Sequence, residues 1–238
     1  MMDKQEILAL LEQGEFSLKG QFVHGSNYTF LGRVQLGGEA CDVVYKPKRG
    51  EQPLWDFPPN SLAKREAAAY QVSEFLGWDL VPPTILRRAK LPYGSGSLQL
   101  HIDHDSTYHY FSFSEQDRGR LDRVVAFDLL INNADRKASH VMVSPDGHLW
   151  CIDHGLCFHV QDKLRSVIWH LAGEGIPQAI RADFLGLIQR EDELAIQLKP
   201  YLRTGEIKAI VQRANDILNC GEFPRLGKDR RMFPFPPL

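Results

Sequence analysis

Two acidic residues on either side of a short hairpin constrain this chain most. Asp135 lies in Ile131-Asn132-Asn133-Ala134-Asp135-Arg136-Lys137-Ala138-Ser139-His140, and Asp153 in Cys151-Ile152-Asp153-His154-Gly155. Leu121, Val124, Val125 and Leu129 recur at helical spacing, so a helix delivers the chain into the Asn-Asn-Ala-Asp-Arg loop. Between the acids, Val141-Met142-Val143 and His148-Leu149-Trp150-Cys151-Ile152 flank Ser144-Pro145-Asp146-Gly147, with Pro and Gly at type I turn positions. Such a hairpin returns Asp153 to the neighbourhood of Asp135. Phosphoryl transfer uses an arrangement of this kind: one carboxylate positions the attacking hydroxyl, and the other holds the metal that offsets phosphate charge. Asp is also a frequent turn residue, so the pair gains weight only from partners upstream.

Those partners are a lysine and a glutamate. Cys41-Asp42-Val43-Val44-Tyr45-Lys46-Pro47 is rich in β-branched and aromatic residues and reads as a buried strand with Lys46 at its end. A lysine there can simply reach for solvent. After the irregular loop Pro53-Leu54-Trp55-Asp56-Phe57-Pro58-Pro59, Asn60 or Ser61 caps a helix running to Leu76 and stopped by Gly77. Glu66 shares its inward stripe with Leu62, Ala69 and Ser73, although Arg65 falls near the same face. A buried carboxylate without a cation costs several kcal/mol by general estimate, and Lys46 is the nearest candidate. A strand lysine followed by a helix glutamate is the pair that orients ATP phosphates in kinases.

Composition sets the bounds. With 238 residues the chain fits one large domain or two small lobes. A net charge of -2 without a basic tract gives no reason to expect nucleic acid or stable membrane association. No secretory signal or spanning stretch is visible. Cys41, Cys151, Cys157 and Cys220 lack CxxC spacing, as expected of reduced thiols in the cytoplasm.

The remaining segments supply the frame. Lys4 to Glu12 reads as a short helix, and Gln21 to Val34 as strand, polar turn and strand, with Gly25-Ser26-Asn27 at the tip. Backbone amides in such a tip can cradle phosphate, although an ordinary hairpin tip has the same composition. Thr84 to Arg88 and Ser97 to Ile102 read as strands, and Asp103-His104-Asp105 as a connector between lobes. Main-chain groups from about Gln99 through His101 to Asp103 are candidates to read an adenine edge. Downstream, 162–171, 179–190, 191–202 and 207–218 read as helices, and the Pro-rich tail from Met232 is expected to drape over the surface or stay loose.

These residues resemble the atypical kinase fold shared by phosphatidylinositol 3- and 4-kinases and HipA-type bacterial kinases. More narrowly, Tyr45-Lys46-Pro47, Leu54-Trp55-Asp56-Phe57-Pro58, Asn132-Asn133-Ala134-Asp135-Arg136-Lys137 and Ile152-Asp153-His154-Gly155-Leu156-Cys157-Phe158-His159 resemble the SCO1664 family of bacterial proteins. The resemblance runs from about Gly25 to Pro177. It implies an α+β, bilobal, protein-kinase-like fold, with a strand-rich N-lobe over 1–103 and a helical C-lobe over 104–238. It further implies an ATP-dependent phosphotransferase acting on a hydroxyl acceptor: protein, lipid headgroup or small metabolite. By position, Lys46 corresponds to the nucleotide-binding lysine, Glu66 to its helix partner, Asp135 to the catalytic aspartate and Asp153 to the metal-binding aspartate. Arg136 or Lys137 would stabilise charge on the transferring group, and Gly25, Ser26 and Asn27 would cover the phosphates. His140 departs from the pattern, standing where the family has a metal-binding asparagine. Magnesium prefers oxygen, so either one metal suffices, or manganese, which accepts imidazole more readily, is preferred, or His140 only orients a water; the expected metal is Mg2+ or Mn2+. Two other readings fit the residues less well: a nucleotide-binding pseudokinase or scaffold, and a metal-dependent hydrolase built on His140, Asp153, His154 and His159.

Overall fold

The computed structural model describes residues 2–22, 27–227 and 231–238. Asp3 and Glu6 form a reciprocal capping box that starts helix α1 (Lys4–Gln13). Strands β1 (Glu15–Gln21), β2 (Phe30–Leu36) and β3 (Glu39–Pro47) follow as an antiparallel meander. Helix α2 (Leu62–Leu76) comes next, then β4 (Thr84–Arg87) and β5 (Gly96–Leu100). The five strands form one sheet in the order β1-β2-β3-β5-β4, so β5 pairs with β3 on one side and β4 on the other.

Alternation along β3 determines what faces the cleft. Cys41, Val43 and Tyr45 join Leu10, Leu11, Phe30, Val34 and Leu98 in a small core under α1. Val44 and Lys46, one residue out of phase, project from the opposite face. Helix α2 is buried nearly all round, as a helix packed between a sheet and a helical layer must be. It ends at Gly77 in the left-handed conformation, with the Gly77 amide returning to Ser73 and Glu74.

The second half is helical. Short α3 (Glu115–Arg118) precedes α4 (Asp122–Ile131), the two-stranded hairpin β6 (Val141–Val143) and β7 (Leu149–Cys151), and then α5 (Gln178–Gln189), α6 (Glu191–Leu198) and α7 (Thr204–Cys220). The larger core joins α2 to these helices through Ala68, Val72, Phe127, Leu130, Phe184, Leu194 and Ile210. Among the described residues no helix is long and apolar enough to cross a membrane.

Three expectations are corrected. The first strand spans Glu15–Gln21, before the turn region assigned from sequence, and carries a bulge between Leu18 and Gly20. It is an edge strand, exposed along most of its length, so its alternation is weak. Residues 162–171 form no helix. Asp162 Oδ1 and Ser166 Oγ accept the Leu164 and Ile168 amides, which helix would otherwise use. Arg165 and Val167 instead bond to the backbone of the Asp135 loop. Finally, α6 stops at Leu198 and α7 begins at Thr204, so both bounds differ from those read from the sequence.

Candidate active site

Helix α4 ends at Asn132, whose φ of 55° turns the chain out of the helix. Asn tolerates this left-handed conformation better than most side chains. The Asn132 amide side chain donates to the His159 and Gln161 carbonyls, and its oxygen accepts the Lys163 amide. The Asn133 amide side chain donates to Asp128, and its oxygen accepts the Asp135 amide. The loop is thus held from both sides, with the Asp135 carboxyl facing the cleft beside Lys137, 3.6 Å away. Burial pushes that carboxyl up to about 6, against the pull of Lys137 and with Asp153 adding to the rise.

Lys46 reaches from β3 to pair with Glu66 on α2 and, at 2.9 Å, with Asp153 Oδ1. Glu66 also accepts the His154 amide at 2.9 Å, which ties α2 to the Asp-His-Gly turn. Gly155 sits against α2, where an added Cβ would lie 3.4 Å from Leu62 Cβ. Burial opposes the charge on Lys46, but Asp153 and Glu66 together hold its ammonium above the ordinary range. Burial likewise opposes ionisation of Asp153, which Lys46 and His140 outweigh. Asp153 has φ 60° and keeps 47 % of its side chain open to the cleft.

Two cavities meet at this cluster. The smaller, about 150 Å³, is lined by Asn27, Tyr28, Thr29, Glu51, Glu66, Asp135, Lys137 and Gly155. The larger, about 340 Å³, is lined by Phe22, Val44, Gln99, Leu100, His101, Ile102, Met142 and Ile152. Thr29, Lys46 and Asp153 belong to both walls. One end of the combined cleft is charged and the other mainly apolar.

The structure therefore brings together Asn27, Lys46, Glu66, Asp135, Lys137, His140 and Asp153. Gly25 and Ser26 lie outside the described residues. Arg136 goes elsewhere: it is fully buried and pairs bidentately with Asp128 at 2.9 Å for both bonds. It also donates to the His140 and Ile152 carbonyls and contacts His154 Nε2. Its guanidinium welds the two acidic segments together and has no path to a transferring phosphate, which corrects the role expected for it. Gln99 and His101 line the larger cavity, but the β5 ladder occupies the Gln99 backbone, and the His101 amide donates to the Asp42 carbonyl. Gln99 Nε2 donates to Thr84.

The hydrolase constellation does not assemble. His154 points into the core against Arg136 and Phe127, and the His159 ring lies on Phe57, away from Asp153. No group of three or more metal-ligating side chains is found among the described residues. Glu51 escaped notice in the sequence: it accepts the Ala63 amide at the start of α2 and lines the smaller cavity. No spacing rule links a residue so far upstream to a helix start.

No family model matches the sequence. The mycobacterial protein Rv2133c of Mycobacterium tuberculosis is 38 % identical over 252 aligned positions, covering 91 % of this chain and 90 % of that protein. The chain belongs to the Rv2133c family. A more distant relative, phosphatidylinositol 4-kinase gamma 4 of Oryza sativa subsp. japonica, is 29 % identical over half of this chain, a match spanning 27 % of its own length. The structure of hydra Fam20 with sugar superposes with a TM-score of 0.62 over 91 % of this chain and 88 % of that one, at 14 % identity. The Helicobacter pylori proinflammatory kinase CtkA gives 0.55 over 90 % and 94 %, at 11 % identity. This chain thus has a kinase-like α+β fold, with an N-terminal antiparallel sheet and a helical C-terminal region.

Proposed function

We propose that the protein is an ATP-dependent phosphotransferase, of the phosphatidylinositol-kinase-like kind to which the SCO1664 resemblance pointed. The observation that carries this reading is the convergence of Lys46, Asp135 and Asp153 on one cavity, with Glu66 behind the lysine. The adenine would occupy the larger cavity, its edge read by main-chain groups from His101 to Asp103, where the lobe boundary at 103/104 falls. The phosphates would lie in the smaller cavity against Lys46 and beside Asn27. Asp135 would orient the acceptor hydroxyl and take up its proton, while Lys137 neutralises charge on the transferring group. The product would be a phosphorylated acceptor and ADP. ATP is a cytoplasmic metabolite, in keeping with the expected location.

The donor set fits a divalent cation. Asp153 Oδ2 and His140 Nε2 lie 3.3 Å apart, close to the roughly 3 Å separating two neighbouring ligands bonded at about 2.1 Å. Burial pushes the His140 imidazole down to about 4 despite Asp153, so it is neutral and able to ligate. Its Nδ1 lies 3.1 Å from the Asp135 carbonyl and 3.4 Å from the Lys137 amide. With the proton on Nδ1, donated to the Asp135 carbonyl, the Nε2 lone pair would face Asp153. In that tautomer the two groups would face each other as acceptors with a place for a cation between them, and an imidazole in the set would favour Mn2+ over Mg2+. Such an ion would neutralise phosphate charge.

The test is incubation of the purified protein with Mn2+ or Mg2+, a cell extract, and ATP labelled at either the γ or the α position. Transfer of the γ label to a protein, lipid or metabolite, lost in Lys46→Ala and Asp135→Asn, is expected. Label arriving from the α position instead would mean nucleotidyl transfer. Nucleotide binding without transfer in any extract would favour a pseudokinase.

A further inference from the structure

Next to Glu66 on α2 stands a second charge that the cleft does not use. Arg65 is 1 % exposed, and no solvent reaches its guanidinium to offset burial. Nη2 pairs with Glu206 in the first turn of α7, and Nη1 donates to the Cys157 carbonyl, four residues beyond Asp153. Glu206 is held in turn by the Arg203 amide at 2.8 Å. The Phe57 ring covers the guanidinium at 4.9 Å. Phe57 comes from the Leu54-Trp55-Asp56-Phe57-Pro58 stretch, for which the cleft has no use, and Asp56 beside it pairs with Lys163 at 3.2 Å.

A buried ion pair is often no more stabilising than well-packed apolar side chains of the same volume. It differs in direction, because a guanidinium committed to two acceptors tolerates little rotation. Successive helical residues point about 100° apart. Holding Arg65 on α7 and on the Cys157 segment therefore fixes the direction of Glu66, and the direction it fixes is toward Lys46.

We propose that Arg65 is a positioning residue: clamped by Glu206 and the Cys157 carbonyl under Phe57, it sets the rotation of α2 so that the Lys46–Glu66 pair stays assembled without an activating event. This rests on the phosphotransferase reading, in which that pair orients the nucleotide.

The experiment uses the full chain carrying Arg65→Lys, Glu206→Gln, Glu66→Gln and the Arg65→Lys/Glu66→Gln double replacement. Phosphate release from ATP with Mn2+ and hydrogen exchange of the α2 amides are followed well below each melting point. Arg65→Lys and Glu206→Gln should each lower kcat by roughly 10- to 100-fold, the usual scale for a misplaced orienting group, with the KM for ATP changed far less and α2 exchanging faster. In the Glu66→Gln background, Arg65→Lys should lower kcat by no more than about twofold further, because both replacements break one unit. Losses that multiply in the double variant would make Arg65 merely structural and overturn the proposal. So would wild-type turnover and α2 protection in the single variants. Should Arg65→Lys fail to fold, Glu206→Gln and its Glu66→Gln double carry the same comparison. A wild-type protein no more active than Lys46→Ala would instead defeat the phosphotransferase reading, which separates the two failures.

Discussion

Replacing Asp135 by asparagine removes a charge that burial disfavours while keeping the size of the side chain. The carboxyl titrates at about 6 instead of 3.8, and each pH unit corresponds to about 1.4 kcal/mol. Below the unfolded value both folded and unfolded chains carry the proton, and the group contributes nothing. As pH rises from about 4 to 6 the unfolded chain releases its proton first, so folded stability falls, by up to about 3 kcal/mol once both forms are ionised. With 24 % of the side chain open to solvent, part of this is relieved, and about 1–3 kcal/mol is the working expectation. Asp135→Asn should therefore melt higher than wild type at pH 7.5, by several degrees at roughly 2–4 °C per kcal/mol. The difference should shrink toward pH 5, measured by scanning calorimetry without nucleotide. Turnover should be lost, because asparagine cannot take up the acceptor proton. A variant that melts at or below wild type at every pH would refute the reasoning about burial, and retained turnover would refute the catalytic role.

Lys46→Ala should raise the KM for ATP steeply and destabilise the fold by about 3–5 kcal/mol, since Glu66 is left buried without its cation. Adding Glu66→Gln should recover melting temperature and not ATP affinity, as read by calorimetry and titration. Arg136→Met should likewise cost about 3–5 kcal/mol in urea unfolding because Asp128 loses its partner; normal stability with lost turnover would return Arg136 to the chemistry. His140→Asn should move the preference from Mn2+ toward Mg2+, read as the ratio of rates in the two metals, and an unchanged ratio would remove His140 from the metal site. In wild type, kcat/KM should fall as pH drops through about 6, where Asp135 takes up its proton.

Local rules made the skeleton of the candidate site legible. β-Branched and aromatic residues marked the strand that ends at Lys46, the helical stripe turned Glu66 inward, and the Ser-Pro-Asp-Gly turn returned Asp153 to Asp135. Arg65 read as a blemish on that stripe because a stripe presumes one packing partner, whereas α2 packs against both the sheet and the helical layer. Arg136 looked catalytic because it adjoins Asp135 in the chain. Its true partner, Asp128, lies one helix end away, in a pairing that composition does not encode. The 162–171 segment has helical spacing but gives its backbone bonds to the Asp135 loop. The tail takes the surface course: the Ser166 amide donates to the Met232 carbonyl and the Ala138 amide to the Pro237 carbonyl. Both contacts join residues far apart in the chain, where local pattern has nothing to read.

The most direct measurement is a crystal structure with a non-hydrolysable ATP analogue and Mn2+, recorded with the manganese anomalous signal. The expected result is an anomalous peak bonded to Asp153 and His140 Nε2, phosphates against Lys46, and adenine beside residues 101–103. A nucleotide bound on another face, or a cleft left empty at saturating analogue, would contradict it.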